Sequence, residues 1–209
     1  MIKKWKEQKN YLFAEVMIVN KKPILIICEG AISSGKSSLS KALREQLPHT
    51  MLMDLSSIEK DNEPNSYMYH ANVMNMILDM KGYGTNFVLS RSHISNEVYA
   101  RLNKKDYDNS RNFRILNNKL ELLQYWYDIK IVILASNPNE YERRLNKRNK
   151  FELIPHTKEE ALAQQKQYLL IADELRDAHF DVRVYNNSGL DKAQLLNLVM
   201  TDLGFKELE

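Results

Sequence analysis

Ile26-Ile-Cys-Glu29-Gly30-Ala31-Ile32-Ser33-Ser34-Gly35-Lys36-Ser37-Ser38-Leu39 is the stretch on which the reading of this 209-residue chain turns. Its centre, Gly30 to Ser37, fits the pattern Gly-x-x-x-x-Gly-Lys-Ser/Thr. An apolar run, Ile24 to Cys28, precedes it, and helical spacing from Ser37 to Leu47 follows. Two glycines let the backbone wind tightly enough for several N–H groups to point inward, at the positive end of the helix behind them. Such a loop cradles a polyphosphate. On this reading Gly30, Ala31, Ile32, Ser33, Ser34, Gly35, Lys36, Ser37 and Ser38 hold ATP. Lys36 reaches between the β- and γ-phosphates, and the Ser37 hydroxyl takes a place on Mg2+.

Further along the chain, apolar runs of strand length recur at Pro23 to Cys28, Met51 to Leu55, Phe87 to Leu89, Ile129 to Ala135 and Val182 to Tyr185. Helical spacing fills the intervals: Ser37 to Leu47, Tyr67 to Lys81, His93 to Leu102, Arg111 to Trp126, Asn139 to Lys150, Lys158 to His179 and Lys192 to Leu203. Strand followed by helix, repeated, predicts an α/β fold, a five-stranded parallel sheet flanked by helices in a three-layer sandwich of the P-loop NTPase kind. Lys130 to Ala135 shows no polar alternation, as a central strand covered on both faces should. Gly82 and Gly84 are placed to end a helix before the third strand, Gly189 follows the fifth, and Gly204 closes the last helix.

Composition narrows the class. Hydrophobic residues at 44% and charged residues at 27% are those of a globular chain able to bury a core without staples. Cys28 is the lone cysteine, which excludes an intrachain disulfide scaffold and fits a reducing compartment. No run has the length of a membrane span and no secretory leader is recognisable, so a cytoplasmic location without a membrane partner is expected. The net charge of +3 favours phosphorylated small molecules, but no basic stripe interleaved with aromatics suggests nucleic acid. Residues 1–22 read as an N-terminal arm, either a peripheral helix or an extension, and 23–209 as one domain. His49, His93, His156 and His179 show no metal-ligand spacing and are expected at the surface.

The string from Ile26 to Leu39 resembles the first strand and loop of the thymidylate kinase and deoxynucleoside kinase superfamily, where Glu-Gly opens the loop. Ser90-Arg91-Ser92-His93-Ile94-Ser95-Asn96-Glu97-Val98-Tyr99 is similar to that family's Asp-Arg or Glu-Arg-Ser signature, and Tyr141-Glu-Arg-Arg144-Leu-Asn-Lys-Arg148 to its lid segment. The three segments stand in family order and, with the strands, span most of the chain from Ile24 onward. The resemblance implies a helical lid and ATP- and Mg2+-dependent phosphoryl transfer to a small nucleoside or nucleotide, in the first instance a deoxynucleoside monophosphate. A deoxynucleoside kinase and a non-catalytic nucleotide-binding protein are the alternatives, and a homodimer is the assembly the resemblance implies.

Residue roles follow from the same match. Arg91, at the carboxyl end of the third strand, would grip a substrate phosphate with its planar fork. Arg144 and Arg148, four apart on a helix, would neutralise charge on the transferring group, while Arg143 and Lys147 stay solvated. Ser90 departs from the pattern, standing where the family has a carboxylate. Asp54, at the end of the second strand, is the residue expected to compensate, as base or acidic partner. Glu29, Tyr67, His70 and Asn72 are counted with the acceptor, and Met74, Ile77 and Leu78 with the core.

Overall fold

In the computed structural model, which describes residues 22–55, 63–103, 109–148, 150 and 156–205, the apolar run ahead of the loop forms β1, Ile24–Gly30, buried along its whole length. The other strands are β2 (Thr50–Asp54), β3 (Asn86–Ser90), β4 (Asp128–Ala135) and β5 (Asp181–Asn186). They form one five-stranded sheet in the order β2-β3-β1-β4-β5, and every pairing is parallel. The chain moves from β1 to the edge strand β2, returns to β3 beside β1, then crosses to β4 and β5 on the other side. That reversal opens a crevice at the carboxyl ends of β1, β3 and β4, the place where open α/β sheets receive ligands.

The helices are α1 (Lys36–Gln46), α2 (Glu63–Asp79), α3 (His93–Asn103), α4 (Asn109–Leu123), α5 (Pro138–Arg148), α6 (Lys158–Asp177) and α7 (Lys192–Asp202). Two start with reciprocal capping boxes, Thr157 with Glu160 at α6 and Asp191 with Gln194 at α7. Alternate β1 side chains serve different layers. Leu25 and Ile27 pack with Phe87, Leu89, Ile131 and the α2, α3, α4 and α6 side chains Ile77, Val98, Leu120 and Ile171. Ile26 and Cys28 pack with Val88, Val132 and Leu134 against Leu39 and Leu43 of α1 and Leu195 and Val199 of α7. Each fully buried aliphatic of this kind contributes about 1.5–3 kcal/mol relative to exposure, so the sheet is held from both faces. A third, smaller cluster of Ala31, Ile32, Tyr141, Leu145 and Ala161 lies where α5 and α6 meet the phosphate loop.

The five expected strands and seven expected helices are all present, with shifted ends. The helix expected over Arg111 to Trp126 stops at Leu123 because the chain must turn there to bring Tyr127 inside, where its hydroxyl donates to Ile77 O at 2.8 Å. The helix expected to run to His179 ends at Asp177, and His179 takes a left-handed φ of 65° that closes it. The expectation for His93 is corrected. It is 2% exposed, enclosed by Phe113 of α4 and His70 of α2, and its Nε2 is 2.7 Å from Asn117 Oδ1. Burial pushes its pKa down to about 3, leaving the ring neutral. The arm expected over 1–22 lies, Lys22 apart, outside the described residues. Among those residues no helix is long and apolar enough to cross a membrane.

Candidate active site

β1 delivers the loop to the sheet's carboxyl edge. Gly30 has φ 142°, and a Cβ built on it would sit 2.5 Å from Leu134 O of β4, so the chain turns in contact with its neighbouring strand. Ser33 (φ 58°) and Gly35 (φ 97°) also take positive φ and reverse the backbone into α1. No side chain caps that helix, which leaves its first amides and its positive end to the loop. Lys36 is 5% exposed, and its ammonium donates to Gly30 O at 2.6 Å and Ala31 O at 2.8 Å. The hydroxyls of Ser33 and Ser34 are buried without a hydrogen-bond partner, a state that costs stability unless something else satisfies them.

A cavity of about 400 Å³ opens over this loop. Ser33, Gly35, Lys36, Ser37 and Ser38 line it from the loop and α1, Arg91 from the end of β3, and Arg144 and Arg148 from α5. Leu190, Asp191, Lys192 and Leu195, after β5, complete it. The wound loop, the uncapped helix, the orphaned hydroxyls and the converging cations fit a nucleoside triphosphate. Ser37, exposed at the start of α1, would hold Mg2+, and among the described residues no group of three or more His, Cys, Asp or Glu could hold a metal.

The loop is held from behind by residues the sequence did not single out. Ile32 N donates to Gln164 Oε1 of α6 at 2.9 Å. Asn187, 1% exposed just after β5, donates to Ser34 O at 2.6 Å, and its carbonyl oxygen accepts from Ser136 Oγ and Arg144. Arg144 also donates to Ser34 O at 3.0 Å, to Asn187 O at 3.2 Å and to Glu140 at 2.6 Å. Both arginines expected at the transferring group therefore reach the cavity, in different ways. Arg144 is a partly buried brace for the loop, whereas Arg148 is exposed one turn further on. Arg143 is solvated as expected. Together with Arg144 it holds the Glu140 carboxyl down at about 2.

Asn187→Ala should remove the bonds of the Asn187 side chain, while Arg144 keeps those to Ser34 O and to the main-chain oxygen of residue 187. The buried Ser34 carbonyl loses a donor and the Arg144 guanidinium an acceptor, so a loss of about 1–3 kcal/mol is expected. Urea denaturation measures this, and ATP calorimetry should show weaker binding.

At the end of β3, Arg91 has φ 75°, and its own N–H donates to Cys28 O at 3.0 Å, which ties that end of the strand to β1. Its guanidinium lies 3.4 Å from Tyr99 OH and lines the cavity. Glu29 is fully buried. Its Oε1 accepts from Ser92 Oγ at 2.7 Å and its Oε2 from Ser95 Oγ at 2.6 Å. Desolvation raises the Glu29 pKa, opposed by Ser95, Ser92, Lys36 and Arg91 in that order. Ser90 is 1% exposed and its hydroxyl has no partner.

Other sequence candidates lie elsewhere. Asp54 is in register with Ser90 but exposed on the edge strand, and it does not line the cavity. Tyr67 packs on the larger core, His70 is 3% exposed between the Tyr69 and His93 rings, and Asn72 is exposed on α2. None of these three lines the cavity over the loop.

No protein-family model matches the sequence, and no curated protein matches it. Solved structures do share the fold. Polyphosphate kinase 2 from Arthrobacter aurescens superposes with a TM-score of 0.63 at 17% identity, covering 97% of this chain and 76% of its own. Thymidylate kinase from Candida albicans gives 0.55 at 18%, covering 87% and 91%. Deoxyadenosine kinase from M. mycoides, with bound dCTP, gives 0.53 at 19%, covering 86% and 98%. The chain thus shares with these structures the fold of an α/β P-loop NTPase sandwich.

Proposed function

We propose that the chain is an ATP-dependent kinase that transfers the γ-phosphoryl group to a deoxynucleoside monophosphate, in the manner of the thymidylate kinases its motifs resemble. The observation that carries this reading is the convergence, in one cavity, of Lys36 and Ser37 from the loop with Arg91 from β3 and Arg148 from α5. Two phosphate chains brought end to end carry a dense negative charge, and cations from three elements offset it from several directions. Catalysis is then positioning and charge neutralisation. Lys36 exchanges its bonds to Gly30 O and Ala31 O for phosphate oxygens, and Arg91 orients the acceptor phosphate. Ser37 would hold Mg2+, which when bound would supply Lewis-acid stabilisation of the charge on the transferring group. A monophosphate acceptor is ionised near neutral pH and needs no base.

One observation favours a second reading, a nucleoside acceptor. Glu29, which opens the phosphate loop, is a buried carboxyl whose pKa burial raises, the property that suits a base for a hydroxyl proton, although it, like the exposed Asp54, does not line the cavity. An ADP-release assay with ATP, Mg2+ and a panel of deoxynucleosides and their monophosphates decides between them. Turnover with a monophosphate is expected. Turnover with nucleosides alone moves the assignment to the second reading, and no ADP above background with any acceptor removes both.

A further inference from the structure

Ser95 stands between two buried oxygen groups, with its Oγ 2.6 Å from Glu29 Oε2 and 2.8 Å from Tyr168 OH. Glu29 is 0% exposed, and Ser95 and Tyr168 are each 1% exposed, so water does not replace either bond. A serine hydroxyl has one proton to give, and an ionised carboxylate can only accept. With Glu29 charged, the order of donation is therefore fixed: Tyr168 O–H to Ser95, and Ser95 O–H to Glu29. A neutral Glu29 would bring a proton of its own to Ser95 and set that order in competition. Tyr168 comes from α6, the helix whose Gln164 also accepts from Ile32 N in the phosphate loop.

We propose that Tyr168 is a positioning residue that acts through Ser95 to keep the buried Glu29 carboxylate ionised and fixed beside Lys36 and Arg91. The proposal rests on the functional reading above only for its consequence, since under either acceptor the charge of Glu29 tunes the field around those two cations. The groups facing Glu29 are Cys28 on its own strand, Lys36 from α1, Arg91 after β3, and Tyr168 from α6. Arg91 and Tyr99 also face Tyr168. Burial favours the neutral carboxyl, and the hydrogen bonds from Ser95 and Ser92 oppose it. Removing a donor should therefore shift titration upward.

The test is a pH titration by NMR of the full chain carrying 13C at glutamate Cδ, with the Glu29 signal identified by its absence in Glu29→Gln. Ser95→Ala should raise the Glu29 midpoint by about one pH unit, and Tyr168→Phe should raise it by less in the same direction. In an active enzyme, the acid limb of kcat/KM moves up with it. Should Tyr168→Phe not fold, 3-fluorotyrosine incorporated at position 168, a stronger donor of nearly the same shape, should lower the midpoint. An unmoved Glu29 midpoint in a folded variant at position 168 overturns the proposal whatever the activity. A moved midpoint in a protein that transfers no phosphoryl group leaves the chain standing and removes only the functional reading.

Discussion

Lys36→Met should lower kcat/KM for ATP by about a hundred- to a thousandfold, the loss typical when one preorganised charge donor is taken from a transition state. Methionine keeps the reach of the side chain and removes the ammonium. The fold should survive, because the residue's stem stays buried and α1 is anchored independently by Leu39 and Leu43. The carbonyls of Gly30 and Ala31 lose their donor, at a cost of about 1–3 kcal/mol. Steady-state kinetics with saturating acceptor, together with the rise in melting temperature on adding ATP, gives both quantities. Wild-type kcat/KM in this variant would remove Lys36 from the chemistry.

Gly30→Ala should be the most damaging added methyl among the glycines. The added Cβ would lie 2.5 Å from Leu134 O and 2.8 Å from Ser34 Oγ. The first of these is backbone of β4, the neighbouring strand paired with Gly30, so it cannot rotate away. At φ 142° the backbone is also one that alanine adopts only under strain. Strain and overpacking together should cost about 2–6 kcal/mol, a large part of the roughly 5–15 kcal/mol that stabilises a typical domain. Gly189→Ala is the control. Its φ is 76° but nothing lies within 4 Å of the added Cβ, so about 1–2 kcal/mol is expected. Thermal denaturation of the pair, measured side by side, checks the contrast, and equal melting temperatures would mean that the contact with Leu134 is relieved elsewhere.

What could be read from the sequence was whatever is local or periodic. Ile24 to Cys28 and Lys130 to Ala135 lack polar alternation, and both strands are covered by helices on both faces, as β3 is too. The phosphate loop is contiguous, so its glycines and lysine announce themselves, and Arg91 and Arg148 stand in strings that resemble a family's motifs. The supports behind the loop are of another kind. Asn187 meets Ser34 across 153 residues, Gln164 meets Ile32 across 132, and Tyr168 meets Ser95 across 73. Each is a single polar residue in an otherwise ordinary element, and no spacing marks it. His93 misled for a related reason. Its own helix has a polar first turn, and only the packing of α2 and α4 encloses the ring. Asp54 was placed correctly at the end of its strand, but sheet order, which a strand's own residues do not encode, puts that strand at the rim.

The guanidinium of Arg144 has a mechanical consequence. It is bolted to main-chain oxygens of Ser34 and Asn187, so α5 cannot rock as a rigid flap without dragging the nucleotide loop and the tip of β5 along. The helix runs unbroken from Pro138 to Arg148, and Leu145 beside the clamp is buried with Ala31 and Ile32 of the loop, so the coupling extends into its last turn.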